Sequence, residues 1–150
     1  MQPAESVTLG WREWLALPAL GIGAIKAKLD TGARSSSLCV VSVDEFDQGG
    51  RTWVRFRVRP RRRSERIVTC EAPVVARRPV TDSGGHTSER WFIRTAVVLA
   101  GRRFETDINL TDRRAMLFPL LLGRAALGGF RVDPSLSYTS ARPTSVRTTP

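Results

Sequence analysis

The chain has 150 residues, with 24 Lys or Arg against 14 Asp or Glu and a formal charge of +10. That length supports one domain with its own core and makes two improbable, and no apolar run is long enough for a membrane-spanning helix. Cys39 and Cys70 are too few for a disulfide scaffold or a cysteine-built metal site, and read as buried or free thiols.

Residues 1–6 read as a short disordered lead-in. Met1-Gln2-Pro3-Ala4-Glu5 lacks a basic segment followed by an apolar one, so a soluble, cytoplasmic protein is expected. From Val7 to Leu17 imperfect alternation predicts a strand, with Trp11 and Trp14 as packing residues, closed by Pro18 and the turn glycines Gly21 and Gly23. In Ala24–Leu29, Ile25, Ala27 and Leu29 fall on one face of a strand and Lys26 and Lys28 on the other. This strand delivers Asp30 into the turn Thr31-Gly32-Ala33. Thr31 can donate and accept a hydrogen bond, and Gly32 admits close backbone approach. Alone, the triplet also reads as an ordinary hairpin turn.

After the polar run Arg34–Ser37, Leu38–Val43 predicts another strand, and Gln48-Gly49-Gly50 a turn. Trp53–Arg59 alternates cleanly, Val54, Phe56 and Val58 on one face and Arg55, Arg57 and Arg59 on the other, as in an antiparallel strand with one wet face. The hairpin it starts holds seven arginines between residues 55 and 66. They form either an anion-contacting patch or a self-repelling face that discourages edge pairing. Thr81–Glu89 reads as a mobile hairpin tip around Gly84-Gly85. Trp91–Leu99 and Phe104–Leu110 are strands, the second with Phe104, Ile108 and Leu110 inward. Ala125-Ala126-Leu127 makes a turn or two of helix before Gly128-Gly129. From Asp133 the composition turns to Pro, Ser, Thr and Arg and predicts a flexible tail over 133–150. The domain is therefore expected over 7–132, mainly antiparallel β.

Little of the usual catalytic inventory is present. Gly84-Gly85 lacks a following Lys-Ser or helix signal, Gly21-Ile22-Gly23 precedes a strand, and His86 is the single histidine, so phosphate-loop and metal chemistry both lack their residues. No elbow motif supports a serine or cysteine nucleophile. Carboxylates remain. Asp30-Thr31-Gly32-Ala33 is followed by the Gly84-Gly85 hairpin and then, about ninety residues on, by Leu120-Leu121-Leu122-Gly123-Arg124 entering a short helix.

This order resembles the retropepsins, the retroviral-type aspartic peptidases, over residues 7–131. Gly10-Trp11-Arg12-Glu13-Trp14, Lys28–Arg34, Asp112-Arg113-Arg114 and Phe118–Arg124 resemble more closely a bacterial retropepsin-like family often labelled "ATP-dependent zinc protease". The resemblance implies an all-β, closed β-barrel (one acid-protease half) with one short C-terminal helix and a flap hairpin. It implies catalysis by Asp30 and an active site supported by Thr31, Gly32, Ala33, Gly123 and Arg124, with Ser83, Gly84, Gly85 and His86 as the flap. Because the chain has one Asp-Thr-Gly, it implies a homodimer whose two Asp30 carboxylates share a proton and activate water. No cofactor is expected, since neither a zinc ligand set nor an ATP motif is found.

One position departs from the viral pattern. There an acidic residue follows Asp-Thr-Gly-Ala and pairs with the Gly-Arg arginine, whereas here Arg34 stands in its place. Either the local network is rebuilt or Arg34 faces substrate and favours acidic side chains. The resemblance also suggests a functional link to ATP-grasp ligases that add glutamate to peptides, which would make acidic, glutamate-rich peptides the substrate. The rival readings are a catalytically silent peptide-binding module on the same fold and an arginine-rich nucleic-acid binder using Arg55, Arg57, Arg59 and Arg61 to Arg63. Zinc-dependent hydrolysis is the weakest.

Overall fold

A computed structural model describes residues 6–112 and 117–143. In chain order the strands are β1 (Val7–Gly10), β2 (Arg12–Leu17), β3 (Ile22–Asp30), β4 (Ser36–Cys39), β5 (Ser42–Gln48), β6 (Arg51–Val58), β7 (Val68–Pro73), β8 (Ala76–Thr81), β9 (Thr87–Leu99), β10 (Arg102–Thr111), β11 (Leu120–Gly123) and β12 (Phe130–Asp133), with 3-10 turns at Pro18–Leu20 and Arg124–Ala126. Neighbouring strands run β10-β4-β11-β3-β2-β9, and β9 pairs back to β10, which closes a six-strand barrel; β8 extends it beyond β9. Closure leaves no open edge within the ring. The expected all-β barrel is therefore the observed one.

Period-two patterning explains which side chains fill it. Ile25, Ala27 and Leu29 of β3 point inward and are buried, while Lys26 and Lys28 are exposed. Leu15, Leu38, Ile93, Ile108, Leu120 and Leu122 meet them from the other barrel strands. Each such fully buried aliphatic side chain stabilises the fold by about 1.5–3 kcal/mol. β5, β6 and β7 form a separate three-stranded sheet. As the alternation predicts, Val54, Phe56 and Val58 join the core while Arg55, Arg57 and Arg59 are exposed. Cys70 ties this sheet to the barrel, its Sγ 3.4 Å from the Leu20 carbonyl oxygen. Burial pushes the Cys70 thiol up to about 11. Both cysteines are free thiols.

Three local expectations are redrawn. The Val7–Leu17 strand divides at Trp11, because the N–H of Leu29 takes the Trp11 carbonyl and the Trp11 N–H is bonded to the Leu136 carbonyl. The short helix after Gly123 is one 3-10 turn. Its Arg124 and Ala125 N–H groups are bonded to the carbonyls of Ala33 and Arg34, at 2.7 and 3.1 Å, which fixes the turn on that loop rather than letting an α-helix propagate. Residues 134–143, which composition assigns to the tail, lie back along β2, with the Tyr138 N–H bonded to the Arg12 carbonyl. Arg113, Arg114 and the ends 1–5 and 144–150 lie outside the described residues. Among the described residues no helix is long and apolar enough to cross a membrane.

Candidate active site

Asp30 is the last residue of β3, half-buried where the strand leaves the barrel. The turn that follows folds back on it: the Gly32 N–H donates to Asp30 Oδ1 at 2.9 Å and the Ala33 N–H donates to the Asp30 carbonyl at 3.2 Å. One carboxylate oxygen is thereby oriented by the backbone. Beside it β11 runs parallel to β3, with Gly123 the register partner of Asp30. A β-carbon at Gly123 would collide with the Ser35 carbonyl and lie 3.0 Å from that of Ala33, so glycine is required for the 33–35 loop to pass.

Arg124 follows Gly123 and donates from Nη1 to the Thr31 carbonyl at 3.0 Å. The arginine that pairs with a carboxylate in viral relatives here holds a backbone carbonyl of the aspartate turn. Arg34 is exposed, and its own carbonyl accepts from Ala125. The structure therefore gathers Asp30, Thr31, Gly32, Ala33, Gly123 and Arg124 into one knot of backbone and side-chain bonds, with Arg34 at its rim.

Ser83, Gly84, Gly85 and His86 lie apart from this knot, exposed at the tip of the β8–β9 hairpin. Asp82, which sequence reasoning passed over, organises that tip. Its Oδ1 accepts from the N–H groups of Gly84 (2.8 Å) and His86 (3.1 Å), and its own N–H donates to the His86 carbonyl at 2.9 Å. Gly85 takes a left-handed φ of +82° to complete the turn.

A second feature escaped the sequence altogether. Gly123 N–H donates to Ser36 Oγ at 2.9 Å, the Ser36 carbonyl accepts from Asn109 Nδ2 at 2.8 Å, and Asn109 Oδ1 accepts from Arg90 Nη1 at 3.0 Å. Arg90, Asn109 and Ser36 are all buried. Through β4, β10 and β9 this chain of bonds joins the strand beside Asp30 to the base of the hairpin. No spacing rule marks it, because its members come from four strands and meet only on barrel closure. Its one trace in the sequence is Asn109 set between the buried Ile108 and Leu110.

Among the described residues, no three His, Cys, Asp or Glu side chains gather into a set that would hold a metal ion. What the site offers is a backbone-oriented carboxylate, open on one side, with basic groups nearby.

A closed six-strand barrel whose aspartate turn is knotted to a parallel Gly-Arg strand defines a retropepsin-like all-β fold. A family model described as the retropepsin-like aspartic endopeptidase RimB matches residues 8–143, and the chain belongs to this RimB-like family. Two proteins named probable alpha-L-glutamate ligase are similar to it. That of Shewanella pealeana is 41% identical over 132 residues, covering 87% of this chain and 29% of the relative. That of Desulfotalea psychrophila is 39% identical over 130 residues, covering 85% and 28%. The chain thus spans less than a third of the length of these curated relatives. A crystal structure of a Legionella pneumophila protein of unknown function superposes with a TM-score of 0.77 at 30% identity, covering 90% of this chain and 98% of that one.

Proposed function

We infer that the chain is an aspartic endopeptidase that works as a homodimer, with one Asp30 from each copy. The reading is carried by Asp30 itself, held by the Gly32 N–H at the end of β3 in register with Gly123. Membership in the retropepsin-like family supports it. Two such carboxylates facing across a two-fold axis cannot both be ionised at close range, so the pair holds one proton. The ionised partner takes a proton from a water between them as that water adds to the peptide carbonyl. The protonated partner donates to the carbonyl oxygen, and a later proton transfer to the amide nitrogen lets the amine leave. Gly32 keeps the two turns slim enough to approach, and the hairpin tip at Ser83–His86 closes over the substrate and excludes water.

Acidic, glutamate-rich peptides are the proposed substrate class. The name glutamate ligase on relatives that carry this region within a longer chain supports that choice, as does a net charge of +10. A working association with an ATP-grasp ligase, and a cytoplasmic location, follow from the same reading. The test is Asp30→Asn. Cleavage of acidic peptides is expected to fall by about a thousandfold while fold and assembly persist, followed by chromatographic peptide assay and solution mass. Full activity in the variant would reject Asp30 as the reacting group.

A further inference from the structure

Asp30 has neighbours on its own face of the sheet. In β3, residues 26, 28 and 30 alternate outward while 25, 27 and 29 fill the barrel. Across the antiparallel β2–β3 pair, Arg12 lies opposite Lys28 and Trp14 opposite Lys26. The outward positions beside Asp30 therefore read Arg12, Trp14, Lys26 and Lys28, with no other carboxylate among them.

Some surface cations elsewhere pair with carboxylates: Arg55 with Glu71 at 2.7 Å, and Arg94 with Asp107 at 3.2 Å. Here rings hold them instead. The Arg12 guanidinium carbon sits 4.7 Å from the Trp11 ring centre and 4.9 Å from that of Tyr138, and its buried Nε has no hydrogen-bond partner among the described residues. Lys26 Nζ lies 5.2 Å from the Trp14 ring centre and 5.7 Å from that of Tyr138. Aromatic faces orient a cation without cancelling its charge. Lys28, exposed and the nearest lysine to Asp30 in the strand, lies opposite Arg12 and two residues from Lys26.

We propose that Lys28 and Lys26 form a docking track for an acidic peptide running along β3 from Asp30, with ring-held Arg12 reinforcing the field at its inner end. The spacing favours this occupant. An extended peptide presents alternate side chains about 7 Å apart, the same repeat that separates Lys26, Lys28 and Asp30 along the strand. Lys28 then meets the acidic side chain nearest the bond at Asp30, and Lys26 the next on that side. As a determinant of substrate choice the track rests on the peptidase reading above; as a binding surface it does not.

Binding is measured on full-length Asp30→Asn protein, so that nothing is consumed, with a short fluorescent oligo-glutamate peptide, an oligo-glutamine peptide of equal length and a single-stranded oligonucleotide of matched charge. Oligo-glutamate is expected to bind and oligo-glutamine not. Lys28→Gln and Lys26→Gln should each weaken binding by about tenfold and flatten its salt dependence, as loss of a charged contact does. Lys28→Arg should retain it, and Lys28→Glu should turn preference toward oligo-lysine. Thermal midpoints check that these exposed substitutions leave the fold intact. Equal affinity in both glutamine variants overturns the track, and so does an oligonucleotide that binds more tightly and is lost with the same lysines. Lysine-dependent binding without any cleavage by wild type overturns the peptidase reading alone. Cleavage indifferent to substrate charge and to Lys28 overturns the track alone.

Discussion

Gly123 carries the tightest steric constraint in the site. Its absent side chain is the space through which the Ser35 carbonyl passes, and a backbone oxygen cannot swing aside as a flexible side chain can. Gly123→Ala is expected to destabilise the fold by about 3 kcal/mol, the cost of overpacking a rigid contact. A fall in the denaturant midpoint at unchanged slope reads this out. The same close approach sets the Gly123 N–H on Ser36 Oγ and so connects Asp30 to Asn109 and Arg90. At this scale Asp30 is legible in the sequence because an alternating strand must end where its turn residues begin. Asn109 is not, since period-two patterning assigns it to the solvent face, whereas in the barrel it is fully buried and bonded to Ser36 and Arg90.

Two elements depend on a single carboxylate each. The strap over residues 136–140 is held by Glu13, fully buried, whose carboxylate accepts from the Gly10 N–H at 2.7 Å and from the N–H and hydroxyl groups of Thr139 and Ser140. Burial alone would raise its proton affinity, but these donors outweigh it and hold Glu13 below its ordinary 4.5. The folded state then binds fewer protons than the unfolded one. The strap's contribution is therefore complete above about pH 4.5 and is lost as pH falls through the lower folded value. Glu13→Gln should lower stability by about 1–3 kcal/mol at neutral pH, with the gap to wild type narrowing in acid, as thermal unfolding across pH will show. Composition hides this strap because its Ser and Thr bury no apolar core; Thr139 and Ser140 supply donors to a carboxylate far back in the chain. The hairpin tip is the second case. Asp82→Ala removes the acceptor for the Gly84 and His86 amides, and both should exchange hydrogen several-fold faster, while the β8–β9 ladder below keeps its protection.

The whole molecule raises the question of how many copies make one site. The chain contains one Asp-Thr-Gly sequence, and a single carboxylate cannot be both the base for water and the acid for the carbonyl in the same step. If two copies each supply Asp30, wild type and Asp30→Asn protein exchanged to equilibrium at equal amounts leave about a quarter of dimers with two aspartates. Cleavage should then follow the square of the wild-type fraction, and activity per wild-type chain should fall as inactive partner is added. Dilution should produce the same loss, with a solution mass moving from two chains toward one. A response linear in wild-type fraction, unchanged by dilution, would place the whole site within one chain and make some group other than a second Asp30 its acid. The mixing experiment tests the assembly independently of substrate choice, because any peptide that wild type cleaves will report it.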